Sequence, residues 1–224
     1  MKMRVICALL VVVIVACSNN ARSQPIPADN DIRFEIRRDG EAFGSHVLRF
    51  SEDESGRRVV RINIDMSYCL GPICLFRYNH ENREYWDDDK VAGFRSKTDD
   101  DGDHYNVRAR WQDDEVVMTV NGDKRTAPAD ALPTTYWRED MLKADKLINT
   151  QNGAVHDIKI LKKGQGTYDV AGETRKARHY VIKTDRKVDV WYDAATAQWV
   201  GLEFQARGST ISYHRNSAIK QDGQ

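Results

Sequence analysis

Cys17 directly follows the apolar run Val5 to Ala16, and Lys2 and Arg4 stand ahead of that run. A basic start, an apolar core too short to cross a bilayer, a small residue and then cysteine make up a bacterial lipoprotein signal. Its chemistry is acylation of Cys17, the residue that becomes the new N-terminus. Of the 4 cysteines, Cys7 leaves with the signal, so Cys69 and Cys74 are the thiols of the folded part. Separated only by Leu70-Gly71-Pro72-Ile73, they can close a small disulfide loop in an oxidising envelope compartment. The alternative is a pair of small apolar residues at a buried strand end.

The other chemistry-bearing types are scattered. Among the 6 histidines, His46, His80, His104, His156, His179 and His214, none stands two or four positions from another, so no metal site is expected. Asp99 to Asp103 collects hard oxygen ligands around Gly102. It lacks the sixth-position glycine and distal glutamate of a helical calcium loop, and reads as a solvated β-turn. Glu84 beside Trp86 is a carboxyl whose pKa apolar neighbours would raise. No Gly-x-Ser-x-Gly elbow and no Cys-x-x-Cys pair is present. The sequence therefore assigns no catalytic residue and no cofactor, and a hydrolase with an unrecognised site stays only as an alternative.

The elements that must position these groups are short and alternating. Ile32, Phe34 and Ile36 face away from Arg33, Glu35 and Arg37, and Asp39-Gly40 turns the chain into Phe43 to Phe50. Val60 to Met66 alternates next, Gly71-Pro72 bends the chain, and Cys74, Phe76, Tyr78 and His80 share one face. Tyr85-Trp86 and Val91 to Thr98 flank an acidic turn, and Tyr105, Val107, Ala109 and Trp111 precede Glu115 to Val120 and the hairpin dipeptide Asn121-Gly122. Strands resume at Ala154 to Leu161, Thr167 to Val170, Arg175 to Thr184, Val188 to Tyr192, Trp199 to Gln205 and Ser209 to His214, with Lys163-Gly164 among the linkers. One interval departs from period two. Trp137, Met141, Ala144 and Ile148 recur at helical spacing between Pro133 and Asn149, which predicts a helix of about three turns.

The fold class is therefore mainly β, an antiparallel meander curled into a barrel or half-barrel with one helix packed against it. Residues 1–16 are read as the signal, 17–30 as a lipidated tether, 31–215 as a single β-rich domain and 216–224 as a flexible tail. A rival site, Ala21-Arg22-Ser23, would allow ordinary cleavage before Gln24 and release a soluble periplasmic or secreted protein. With 34 basic and 34 acidic residues, the chain is neutral, which argues against a nucleic-acid partner. Trp86, Trp111, Trp137, Trp191 and Trp199 are the candidate lining of a cleft in the curled sheet.

Gly172, Ala177 and Tyr180, then Val190 to Asp193, Trp199 to Phe204 and Gly208 to Tyr213, form an ordered series of aromatics and turns. With Phe34 to Gly40, Glu84 to Trp86 and Thr98 to Gly102, it resembles an uncharacterised family of proteobacterial envelope proteins, a domain of unknown function. That resemblance implies an architecture similar to lipoprotein-carrier half-barrels, in which a curved sheet flanks a hydrophobic cleft, and it supplies no catalytic residue. The expected protein is a non-enzymatic lipoprotein at the periplasmic side of the outer membrane. It would bind an apolar small molecule, such as a lipid or acyl chain, or else dock an envelope protein as a structural or assembly factor.

Overall fold

The computed structural model describes residues 30–216, so Cys17, the tether before Asn30 and nearly all of the tail lie outside the described residues. The strands are β1 (Asp31–Arg38), β2 (Glu41–Glu52), β3 (Arg58–Leu70), β4 (Ile73–Asp87), β5 (Lys90–Asp100), β6 (Asp103–Trp111), β7 (Glu115–Val120) and β8 (Asp123–Pro128). Then follow β9 (Leu132–Pro133), β10 (Lys146–Ile148), β11 (Val155–Asp157), β12 (Lys159–Val170), β13 (Glu173–Lys183), β14 (Lys187–Asp193), β15 (Trp199–Ala206) and β16 (Ser209–Arg215).

Thirteen of these form one antiparallel sheet in the order β12-β13-β14-β15-β16-β1-β2-β3-β4-β5-β6-β7-β8. The meander is what alternation predicts, because each strand carries one apolar face and each turn holds residues that tolerate positive φ. Asp39 and Gly40 sit at φ 50° and 90°, and Asn121 and Gly122 at 51° and 96°, the mirror-image turn geometry that matches strand twist. The single crossover is the pairing of β1 with β16, which brings the two ends of the domain together in mid-sheet. The sheet curls without closing, its edges being β12 and β8, so it is a half-barrel.

Curling brings β12 back over β15 and β16. The Tyr168 hydroxyl donates to the Tyr213 carbonyl at 3.0 Å, and its ring lies over Gly201, where a Cβ would stand 2.1 Å from the hydroxyl oxygen. Only glycine lets the ring approach this closely.

The open side is covered by the segment between β8 and β12. It contains a small sheet, β11-β10-β9, and is fastened to the concave face. Ser96 Oγ donates to the Thr150 carbonyl at 2.5 Å, and Trp111 Nε1 donates to the Ala131 carbonyl at 2.9 Å.

The helix expected over Pro133 to Asn149 is reduced to a 3₁₀ turn, Glu139–Lys143. Trp137, Met141, Leu147 and Ile148 are all buried, but against different parts of the sheet. Tyr136 takes φ 51°, and both residues flanking the turn are extended. The helical period was thus an inward strand-turn-strand path in disguise. Lys163-Gly164 is likewise a bulge inside β12 rather than a linker, with the register shifting between Lys162 and Gly164.

Candidate functional site

The concave face holds a cavity of about 940 Å³, at the upper end of the range of small-molecule sites. The strands give it apolar walls, with Phe43 on β2, Ile62, Ile64 and Met66 on β3, Phe76 on β4, and Ile182, Val188, Leu202, Phe204 and Ile211 on the far strands. The covering segment and the turns add polar groups such as Asn149, Gln151, Asp100 and Asp185. Inward positions of neighbouring strands line up in rows. One row runs Phe34, His46, Ile64, His80, Thr98, and the next runs Leu48, Ile62, Asn82, Ser96. From Phe76 to Asn82 along β4 the cavity is roughly 20 Å deep.

Its inner end is closed by aromatic packing. Trp86 and Trp137 meet edge to face at 5.5 Å, and Phe50 meets Trp137 at 5.3 Å. The buried Arg138 guanidinium lies 4.4 Å over the Trp86 ring.

Beneath the cavity floor, Glu84 is fully buried. Its carboxyl accepts from Asn82 Nδ2 at 3.1 Å, Trp86 Nε1 at 3.0 Å and Trp137 Nε1 at 3.1 Å, and from the Thr135 side chain. Burial nonetheless raises its pKa, outweighing these donors. Asn82 directs its NH₂ at the carboxyl, which leaves Oδ1 as an acceptor. Among the described residues Asn82 Oδ1 has no hydrogen-bond partner.

The two buried histidines differ. The Thr98 hydroxyl donates to the Gln151 carbonyl at 3.0 Å, so it receives the proton on His80 Nδ1 at 2.8 Å. His80 Nε2 then accepts from the Thr150 hydroxyl at 3.3 Å. His46 has neither nitrogen partnered among the described residues. Phe34, Trp199 and Tyr213 crowd the His46 ring, with centroids 6.2, 5.3 and 5.7 Å away. Burial pushes His46 down to about 3 and His80 to about 4, so both are neutral.

At the outer end, β3 and β4 run past their neighbours. Pairing of β2 with β3 stops at Gly44 and Met66, and pairing of β4 with β5 starts at Tyr78 and Asp100. The Cys69–Cys74 disulfide staples the projecting ribbon. Its tip exposes Tyr68, Leu70, Ile73 and Leu75, the last three by more than half, at 57%, 63% and 54%. Tyr68 and Leu75 also line the cavity, so the apolar surface continues from the walls onto the tip.

A family model described as Domain of unknown function (DUF6134) matches residues 34–216. The chain belongs to the DUF6134 family. No curated protein matches it. A solved structure similar to it is a β-barrel-like protein of domain of unknown function DUF1849 from Brucella abortus, at 11% identity and a TM-score of 0.62. That match covers 86% of this chain and 97% of the other, and it bears on the fold alone.

In this DUF6134 chain the five tryptophans expected to line a cleft do not line the cavity. Trp86, Trp137 and Trp199 are fully buried in the main core. Trp111 packs against the cluster under β5 to β8. Trp191 stacks on His179 at 4.6 Å, beside the small core around Val170 and Val200. The largest rings fill space instead of bordering a void. Asp99 to Asp103 forms the β5–β6 hairpin turn, with the Gly102 amide donating to Asp99 Oδ1 at 2.9 Å.

Among the residues that border the cavity with polar groups, sequence reasoning assigned no binding role to His46, His80, Asn82 and Thr135. The signal for His80 was present, since it shares the face of Phe76 and Tyr78. His46 likewise shares a face with Leu48 and Phe50.

Proposed function

We propose that this DUF6134 protein is a non-enzymatic binding protein of the bacterial envelope, tethered through Cys17, whose half-barrel holds an apolar small molecule such as an acyl chain. The observation that carries the reading is the cavity of about 940 Å³, whose strands contribute aliphatic and aromatic walls and whose mouth adjoins the exposed apolar ribbon tip. Covering such walls removes apolar area from water at about 25 cal/mol per Å², enough to hold a ligand with no charged contact. The lipoprotein signal ending at Cys17 supports placement at a lipid surface, where such ligands are found.

Ile64 is half-buried and faces the cavity between His46 and His80. Ile64→Trp should therefore fill the space without overpacking the core. Titration with a polarity-sensitive fluorescent acyl probe should show saturable binding to the wild type. The variant should lose at least about tenfold in affinity while keeping its urea midpoint. Equal, non-saturating signals from both proteins would count against ligand carriage. Metabolic labelling with palmitate should mark the wild type and not Cys17→Ser; label on neither would remove the tether.

A second reading is favoured by the ribbon tip. An exposed apolar patch on a stapled hairpin is also what a docking protein would present to an envelope partner.

A further inference from the structure

The inner end of the cavity has a polarity of its own. His46, Asn82 and Thr135 are each at most 5% exposed and all three border the cavity. His46 and Asn82 each carry a polar atom with no partner among the described residues, while the Thr135 side chain reaches only the Glu84 carboxyl. Leaving such groups unpaired under an apolar ligand costs ~1–3 kcal/mol apiece. The observed hydrogen bonds fix what each group can offer. Asn82 presents an acceptor, because Glu84 takes its NH₂. His46, neutral, presents one donor and one acceptor. Thr135, whose hydroxyl donates to Glu84, presents its lone pairs as a second acceptor.

No cation borders the cavity at that depth: Arg138, behind the aromatic end wall, lies over Trp86 and is paired with Asp140 and Asp89. The arginines that border the cavity are Arg38, Arg186 and Arg207. Arg38 ends β1, while Arg186 and Arg207 sit in the β13–β14 and β15–β16 turns, so all three belong to the mouth. A carboxylate or phosphate pushed to the floor would be an unpaired buried charge, with the Asn82 acceptor and the Glu84 carboxyl close by.

We infer that the cavity takes an uncharged amphiphile head first, with a hydroxyl or amide on the His46–Asn82–Thr135 floor and the apolar body running out along the walls toward the ribbon tip. This rests on the ligand-cavity reading above and narrows it to a class, long-chain or polycyclic alcohols and amides. It also gives the exposed tip a role, since a tail leading out of the mouth would lie against Tyr68 and Leu75.

The test is competition for the acyl probe by four ligands with one chain: oleyl alcohol, oleamide, oleate and the headless hydrocarbon 9-octadecene. The alcohol and the amide should bind at least about tenfold more tightly than oleate or the hydrocarbon, the worth of one or two buried hydrogen bonds. Thr135→Val, nearly isosteric, should bring the alcohol down toward the hydrocarbon and leave the hydrocarbon unchanged. His46→Phe should do the same independently, so misfolding of one variant does not decide the matter.

Four equal affinities, unmoved by either substitution, would overturn the head-first inference and leave the apolar cavity standing. Tighter binding of oleate that is lost in Arg186→Gln or Arg207→Gln would overturn it in favour of a head at the mouth. Failure of all four ligands to compete would overturn both this inference and the reading it rests on.

Discussion

Trp199→Ala is expected to lower stability by ~3–5 kcal/mol, the range for deleting a large aromatic from a packed core. The side chain is fully buried. Its ring packs against Phe34 at 4.1 Å and stacks on Tyr136 at 5.6 Å, and its indole donates to the Gly201 carbonyl at 2.9 Å. Phe34 and Trp199 join β1 to β15 across β16, where the two ends of the domain meet, so the loss falls on the seam of the half-barrel. Trp199→Phe keeps most of the ring contact and should cost less than half as much. Urea unfolding followed by circular dichroism measures both. A loss under 1 kcal/mol for the alanine variant would mean that the seam is not held by this packing.

Stability should also fall steeply as pH drops below about 6.5, before ordinary carboxylates titrate. His46 and His80 are depressed to about 3 and about 4 by burial. In the unfolded chain each takes a proton near 6.5. Between those values the unfolded state holds protons that the folded state refuses, so the contribution present above pH 6.5 is lost as pH falls. Each histidine gives at most about 1.4 kcal/mol per pH unit.

Glu84 works in the opposite direction. Its folded pKa is raised, so its contribution is complete below its unfolded value and lost as pH rises through the folded one. Where Glu84 keeps its proton only in the folded state it cancels about one histidine, and the net slope between pH 6.5 and 4.5 should be roughly 1–3 kcal/mol per unit. His46→Phe should flatten the curve by one proton's worth, measured as urea midpoints at pH 7, 6 and 5. An unchanged slope would show that His46 titrates normally and is not desolvated.

How far the fold was legible depends on which signal each element carried. Period-two patterning located β1, β3 and β6 because each keeps one face buried, and Asp39-Gly40 and Asn121-Gly122 marked turns through positive φ. Lys163-Gly164 has the composition of a turn, yet it sits inside β12, where a partner strand continues on both sides of a bulge. Trp137, Met141 and Ile148 show helical spacing because a folded-back segment happens to touch the core at those intervals. No local rule separates that from a helix.

The cavity was the least legible part. It depends on which inward positions from strands far apart in sequence meet, and on whether their volumes sum to less than the space enclosed. Tryptophans were the obvious candidates for a cleft, but bulk is what closes a gap. The border of the void falls to Ile64, Met66 and Phe204, and its chemistry to His46 and Asn82. Face alternation alone would have put both polar residues inside.

The claim on which the rest depends is that the half-barrel encloses ligand space. Native mass spectrometry of protein purified from its own envelope without detergent tests it most directly. The wild type should carry a non-covalent mass excess of lipid size, released on denaturation and absent from Ile64→Trp. The bare polypeptide mass in both, from preparations that give folded spectra, would contradict it.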